Sequence, residues 1–211
     1  MSGALQAVFQ NQRSFALAIG DAYQGGFYAG QISTTGNGIA THNLVVGPVA
    51  SAQSASKQWK TTNTSTSGTS SNIDGPTNSS NMNNASHPAA EFCEGLTIGG
   101  FSDWYMPARN EVEICYYNLK PTTDSNNTST GTNSNAVPAR ASNYTAGTPA
   151  QTSATAFKTG NSEAFTGGVY YWSSTEKASA DAWNRLFLNG FENYFNKTDS
   201  RPVRAIRRVA V

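Results

Sequence analysis

The 211-residue chain has only two cysteines and two histidines, and only 13% of its residues are charged. Each scarcity excludes something. His42 and His87 stand far apart and no Cys or His cluster has metal-ligand spacing, so no zinc or haem site is expected. Cys93 and Cys115 could form at most one disulfide; both fall in segments that read as helices, and they are taken as reduced core thiols. Fourteen basic residues against 13 acidic ones give a net charge of +1, too little to draw the chain to nucleic acid or to an anionic membrane. No stretch approaches the roughly 18 consecutive apolar residues of a membrane span, so no membrane insertion is expected. The opening MSGALQAVFQNQRSFALAIG lacks a basic segment followed by a continuous apolar core, so no standard secretory signal is expected either. A nucleophile elbow, a metalloprotease helix, a phosphate loop and a dinucleotide fingerprint are all missing, so neither an enzyme nor a resident cofactor is expected.

What the chain does contain is Gly, Ser, Thr and Asn, which suit short strands, turns and long polar loops. Residues 1–20 separate from the rest as an arm: the apolar Ala4, Leu5, Val8 and Phe9 are cut off from Phe15, Leu17 and Ile19 by polar Gln10 to Ser14. Such an arm has too little apolar surface for a core and is expected to dock onto a neighbouring protein. Residues 21–211 then form the one domain. Between Thr61 and Ser86, 19 of 26 residues are Ser, Thr or Asn, and a second such tract runs from Thr122 to Asn135. These tracts cannot fold alone; they are either mobile surface loops or loops held by packing against other copies.

YQGGFYAGQI from Tyr23 to Ile32 and the run from His42 to Val49 read as two strands flanking the turn-rich TTGNG. Ser86 to Leu96 reads as a short helix with Ala85, Ala89, Phe92, Cys93 and Leu96 on one face. Pro107 opens a second helix, in which Val112, Cys115, Tyr116 and Leu119 repeat at helical spacing, acids occupy the early turns and Pro121 stops it. Four short runs follow at Val169–Trp172, Ala182–Leu188, Phe191–Asn196 and Val203–Val209, with Asn189-Gly190 marking a tight hairpin between the second and third.

GGFSDWYMPARNEVE, YYWSSTE, AWNRLFLNG and PVRAIR, in this order and spacing, resemble the Lcl C-terminal domain family, a branch of the C-type-lectin-like fold related to the formylglycine-generating enzymes. The resemblance covers roughly residues 22–208. It implies an α+β fold of small twisted antiparallel sheets, two short helices and long loops, with Trp104, Trp172 and Trp183 in the core and Asp103 capping a turn. Departures from the family are informative. Tyr105 and Met106 stand where Arg-Leu is common, and Ala205 stands where a cysteine is common, so Cys93 has lost its usual partner. That suits assembly in a reducing cytosol. A formylglycine-generating activity would need a reactive cysteine pair with soft partners, and calcium-dependent sugar binding would need a Glu-Pro-Asn signature; neither is present.

The last hairpin further resembles the variable segment of phage receptor-binding proteins diversified by retroelements. Ala182, Trp183, Asn184, Phe187, Asn189, Gly190, Asn193, Asn196, Lys197, Val203, Arg204, Ala205 and Arg207 match the unmutated template without a gap. Leu186, Leu188, Phe191, Tyr194, Phe195, Thr198, Asp199, Ser200 and Arg201 replace template asparagines, and each has a codon reachable from AAC by changing adenines. Arg185, at an apolar template position, does not fit. Strand alternation places Asn184, Leu186 and Leu188 on one face and Trp183, Arg185 and Phe187 on the other. With Trp183 and Phe187 in the core, the even residues face outward.

The resemblance therefore implies a phage virion protein, a tail fibre or tail-tip component assembled in the host cytoplasm. Its arm would hold other virion proteins, and the C-terminal hairpin would bind a host-surface glycan or protein. The receptor-contacting residues are expected to be Asn184, Leu186, Leu188, Asn189, Phe191, Tyr194, Phe195 and Arg201, on a scaffold of Trp104, Trp172, Trp183 and Phe187. A homo-oligomer is expected, with a trimer favoured. The alternative is a structural decoration or cement protein whose polar loops, arm and apolar hairpin residues make lattice contacts.

Overall fold

The computed structural model describes residues 17–211. The arm expected over residues 1–20 lies outside the described residues except for its last four. Of those, Ile19 packs against the core and the Gly20 N–H donates to the Tyr28 carbonyl at 2.8 Å, so the domain takes in both.

The fold is α+β. In chain order its elements are β1 (Ala22–Tyr23), β2 (Gly26–Ile32), β3 (His42–Val46), the single helical turn α1 (Val49–Ala52), β4 (Gln53–Gln58), α2 (Gly75–Ser80), α3 (Pro88–Glu94), α4 (Arg109–Leu119), β5 (Ala136–Val137), β6 (Tyr170–Glu176), β7 (Asp181–Leu186), β8 (Glu192–Asn196), β9 (Ser200–Arg204) and β10 (Ile206–Ala210). They form three antiparallel sheets. One runs β1-β2-β3-β10 with β5 added to β2, the second is the ribbon β4-β9, and the third is β6-β7-β8. The expected β2–β3 hairpin is present, with Ile32 opposite His42 and Phe27 opposite Val46. The run expected at Val203–Val209 is divided at Ala205: β9 pairs with β4, whereas β10 pairs with β3.

α4 explains itself chemically. Its apolar Val112, Cys115, Tyr116 and Leu119 are buried as their spacing requires, but Glu111 and Glu113 are buried too. Burying carboxylates is costly unless they are paired. Glu111 accepts from the Ala108 backbone N–H at 2.8 Å, from Arg208 Nε at 2.7 Å and from the Tyr105 hydroxyl; Glu113 accepts from Asn133, Arg140 and Tyr144. The acids of the first turns therefore do more than complement the helix dipole. They tie α4 to β10 and to residues 133–144.

Two buried clusters flank these elements. One gathers Ile32, Leu44, Ile114, Tyr116, Phe157, Phe165, Tyr171 and Phe187; the other gathers Trp59, Met82, Cys93, Trp104, Met106, Trp172, Val203 and Ala205. Each buried indole N–H has an acceptor, as burial demands: Trp59 donates to Ser173 O at 2.9 Å, Trp104 to Phe101 O at 3.0 Å and Trp172 to Lys57 O at 3.0 Å. Cys93 and Cys115 are both free thiols and sit in different clusters. Ala205 lies in the same buried cluster as Cys93.

The motifs quoted above meet in space. Asp103 does not cap a turn: its carboxylate takes both Arg207 nitrogens, Nε at 2.7 Å and Nη2 at 2.8 Å, while that guanidinium lies over Phe101. Tyr105 and Ile206 form a backbone bridge beside this pair. The glycine-rich turn and the final VRAIR run are thus two halves of one junction.

The Ser/Thr/Asn tracts also differ from expectation, because their own domain holds them. Within the first lies α2, its first turn capped by Asp74 accepting from the Thr77 N–H at 3.2 Å. The buried Asn78 amide donates to Ser71 O at 2.7 Å, and the buried Lys197 ammonium binds Thr64 O and Glu176. In the second tract Asn126 donates to the carbonyls of Thr145, Ala146 and Pro149, and Asn135 donates to Ser33 O. These amides supply the polar partners that irregular backbone otherwise lacks.

Candidate functional site

The hairpin β7–β8 pairs Ala182 with Phe195, Trp183 with Tyr194, Asn184 with Asn193 and Arg185 with Glu192. Its connection is longer than a two-residue turn. The Leu186 N–H donates to Phe191 O and the Gly190 N–H to Leu186 O, so Phe187 to Gly190 form one helix-like turn. Gly190 is required there: its φ is +76°, and a Cβ would sit 2.3 Å from the Tyr116 ring.

This register corrects the expected faces. β7 is the middle strand of its sheet and is covered on both sides. Asn184, expected to face outward and touch a receptor, is only 2% exposed on the Trp172 side of the sheet, and its amide has no hydrogen-bond partner among the described residues. Trp183, expected in the core with Trp104, Trp172 and Phe187, is half-buried instead, whereas those three are buried. Register also divides the expected contact residues. Tyr194 lies on one face with Trp183, Arg185 and Glu192, and Phe195 on the other with Ala182 and Trp172. Arg201 stacks 3.5 Å over the Phe195 ring, which also meets Tyr170 edge to face. Leu186 and Phe191 are half-buried where the hairpin closes. At the tip, the Leu188 carbonyl accepts from Thr122 at 2.7 Å, and Asn189 Oδ1 shapes the turn by accepting from the Phe191 N–H at 3.0 Å.

The most exposed aromatic among the described residues is Tyr194, at 47%. Its ring meets Trp183 edge to face at 5.6 Å, and the Lys177 ammonium lies 5.1 Å from the Trp183 ring and 5.6 Å from Tyr194. Arg109, from the first turn of α4, lies 3.9 Å from the Trp183 ring centre. Its guanidinium also donates to both oxygens of Glu192, which accepts from Arg185 Nη2 at 2.9 Å as well. Burial pushes the Glu192 carboxyl upward, but the two guanidiniums outweigh this and hold it below the usual range. Arg185, 4% exposed, spends its Nη1 on Gly190 O at 2.7 Å. An arginine at this apolar template position is therefore the internal partner of Glu192 and of the turn.

Beside this face opens a polar cleft of about 200 Å³, walled by Arg109 and Asn110 of α4, residues 129–132, Asn143, Arg185 and Glu192. Sequence reasoning missed these cleft residues. The one available signal was the alternation of β7, which placed Arg185 beside Trp183. Among the described residues, no group of three or more His, Cys, Asp or Glu is placed to hold a metal ion, and no helix is long and apolar enough to cross a membrane.

The model of the Lcl C-terminal domain matches residues 51–207, from the last residues of α1 to the start of β10. β1, β2 and β3 lie outside this segment, yet β3 pairs with β10 and completes its sheet. No curated protein matches the chain.

Proposed function

The chain belongs to the Lcl C-terminal domain family, and from that premise we propose that it is a phage virion protein, of a tail fibre or tail tip, that binds a host-surface receptor through its C-terminal hairpin. One observation carries this reading. All nine positions at which the hairpin departs from template asparagine (Leu186, Leu188, Phe191, Tyr194, Phe195, Thr198, Asp199, Ser200 and Arg201) reach solvent in whole or part. Ala182, Asn184, Phe187, Gly190, Lys197, Val203, Arg204, Ala205 and Arg207, which match the template, are buried. Arg185 is a buried exception, and the template matches Trp183, Asn189, Asn193 and Asn196 are half-buried. Replacement of template asparagines only where solvent is reached is what a diversifying contact surface needs, because interior changes create cavities or strand charges.

The aromatic pair Trp183–Tyr194, flanked by Lys177 and Arg109, supports the same reading. Rigid aromatic area beside adaptable polar groups is the common chemistry of recognition surfaces. The chain would be a binding module rather than an enzyme, attached to other virion proteins through residues 1–20, assembled in the host cytoplasm and displayed as an oligomer, with a trimer favoured. Reduced Cys93 and Cys115 accord with cytoplasmic assembly. The polar tracts, which lattice contacts in a decoration protein would use, spend their buried groups on their own domain. The test is adsorption of particles carrying hairpin substitutions to host cells, scored separately from assembly; loss of the protein from the particle with adsorption per copy intact would instead favour the decoration reading.

A further inference from the structure

The turn that joins β2 to β3 lies in a different sheet from the β7–β8 hairpin and carries chemistry of its own. We propose that Asn37 is a site of spontaneous covalent modification: the Gly38 nitrogen attacks the Asn37 side-chain amide to close a succinimide ring, and water then opens the ring to aspartate or isoaspartate. The reaction is independent of receptor binding and needs no enzyme.

The sequence offers two such sites, because Asn-Gly occurs at 37–38 and again at 189–190. In both, glycine leaves the attacking nitrogen uncrowded. In both, the asparagine Oδ1 accepts from the backbone N–H two residues on, Ile39 at 3.0 Å and Phe191 at 3.0 Å, which folds the side chain over the intervening peptide. The fold separates them. Gly190 is buried, its N–H donates to Leu186 O at 2.9 Å, and the Tyr116 ring stands over it, so the nitrogen that would attack is held in place. Asn37 and Gly38 are both exposed, and the Gly38 N–H makes no hydrogen bond among the described residues. No atom lies within 4 Å of where a Gly38 Cβ would sit. This nitrogen can lose its proton to solvent and move onto Asn37 Cγ without giving up a hydrogen bond.

The amide under attack is also activated. Asn37 Oδ1 accepts from the Ser33 hydroxyl at 3.0 Å as well as from the Ile39 N–H, whereas Asn189 Oδ1 has only the Phe191 N–H. As the new N–Cγ bond forms, the carbonyl electron pair moves onto Oδ1, where two donors already point, and they stabilise the oxyanion. Its collapse re-forms the carbonyl and breaks the Cγ–Nδ2 bond, and the nitrogen takes up a proton and leaves as ammonia. One water then adds to either imide carbonyl, so the net change is an amide and a water for a carboxylate and an ammonium. Opening at the side-chain carbonyl gives aspartate. Opening at the main-chain carbonyl gives isoaspartate, which lengthens the β2–β3 turn by a methylene and takes Oδ1 away from Ser33 and Ile39.

The experiment incubates the purified chain at mildly alkaline pH, once folded and once in urea, and then maps peptides by a method that separates asparagine, aspartate and isoaspartate at positions 37 and 189. Asn37 should convert several-fold faster in the folded chain than in urea, and Asn189 should convert only in urea. Ser33→Ala, checked for folding by its melting curve, should slow conversion of Asn37 in the folded chain by several-fold to about tenfold, the scale of one lost hydrogen bond, and leave the rate in urea unchanged. Conversion of Asn37 no faster when folded than in urea, conversion of Asn189 as fast as Asn37 in the folded chain, or equal rates for folded wild type and folded Ser33→Ala would each overturn the proposal. If Ser33→Ala does not fold, the comparison of the two asparagines in the wild type still decides.

Discussion

The guanidinium of Arg109 lies 3.9 Å from the ring centre of Trp183 and at the same time grips the carboxylate of Glu192. One side chain at the start of α4 thus joins both strands of the hairpin, because Trp183 belongs to β7 and Glu192 to β8. The hairpin face is held from the interior by a helix whose own carboxylates are fixed to β10 and to residues 133–144. A contact surface built this way is rigid before it meets a partner, which reduces the ordering cost of binding.

Arg109→Ala removes this brace. Arg109 is 30% exposed at its side chain, so screening weakens the ion pair, and Glu192 keeps Arg185 as a partner. The expected loss is about 1–2 kcal/mol, a fall of a few degrees in Tm for a domain of this size. Calorimetry of the purified variant measures it.

Glu111→Ala should be far more damaging. The carboxylate is fully buried and serves Tyr105, the Ala108 backbone and Arg208, so its removal strands the partly buried Arg208 guanidinium and a buried phenol. A loss of about 3–5 kcal/mol is expected, with Glu111→Gln recovering part of it, read from urea denaturation midpoints.

The two thiols should be inert in the folded protein. Burial pushes Cys115 up to about 12 and Cys93 well above the usual thiol range, so neither supplies thiolate near neutral pH. Iodoacetamide should add two labels after denaturation and none before, by intact mass, and reductant should leave Tm unchanged. Absence of labelling even after denaturation would instead reveal a crosslink.

His87 sets an acid limit. Burial, then Lys60 and Lys197, lower it to about 4, and its ring sits between Thr66 Oγ1 and Asn84 Oδ1 in its neutral form. The unfolded chain takes up this proton near pH 6.5 and the folded one only near 4. Stability from this group is therefore complete above the unfolded value and is lost as pH falls between 6.5 and 4. The Tm advantage of wild type over His87→Gln should shrink across that window and hold constant above pH 7.

Two of the four helices, α3 and α4, were legible because their apolar spacing and stop signals are local: Val112, Cys115, Tyr116 and Leu119 mark the buried stripe of α4. The other two, α1 and α2, were not, and α2 lies inside a Ser/Thr/Asn tract that reads as loop. The hairpin was legible as a hairpin, but its faces were inverted in part. Alternation says that Asn184 and Trp183 point opposite ways, not which side carries the larger core, and β7 is covered on both. Buried Asn184 and Arg185 look like surface residues in a sequence, since nothing local announces Trp172, Glu192 or the Gly190 carbonyl as neighbours. The cleft was illegible for a related reason. Arg109, Thr132, Asn143 and Glu192 come from four separate segments, and only the closed chain brings them together.

The most direct measurement of the central claim compares host adsorption by particles carrying Tyr194→Ala with that by particles carrying the wild-type chain, with copies of the protein per particle counted in each. Tyr194 is 47% exposed, so its truncation should change stability by only about 0.5 kcal/mol, whereas truncating buried Trp172 should cost about 3–5 kcal/mol. The account predicts full incorporation of the Tyr194→Ala chain together with a clear loss of adsorption. Full incorporation with undiminished adsorption, or loss of the chain from the particle with adsorption per copy unchanged, would contradict it.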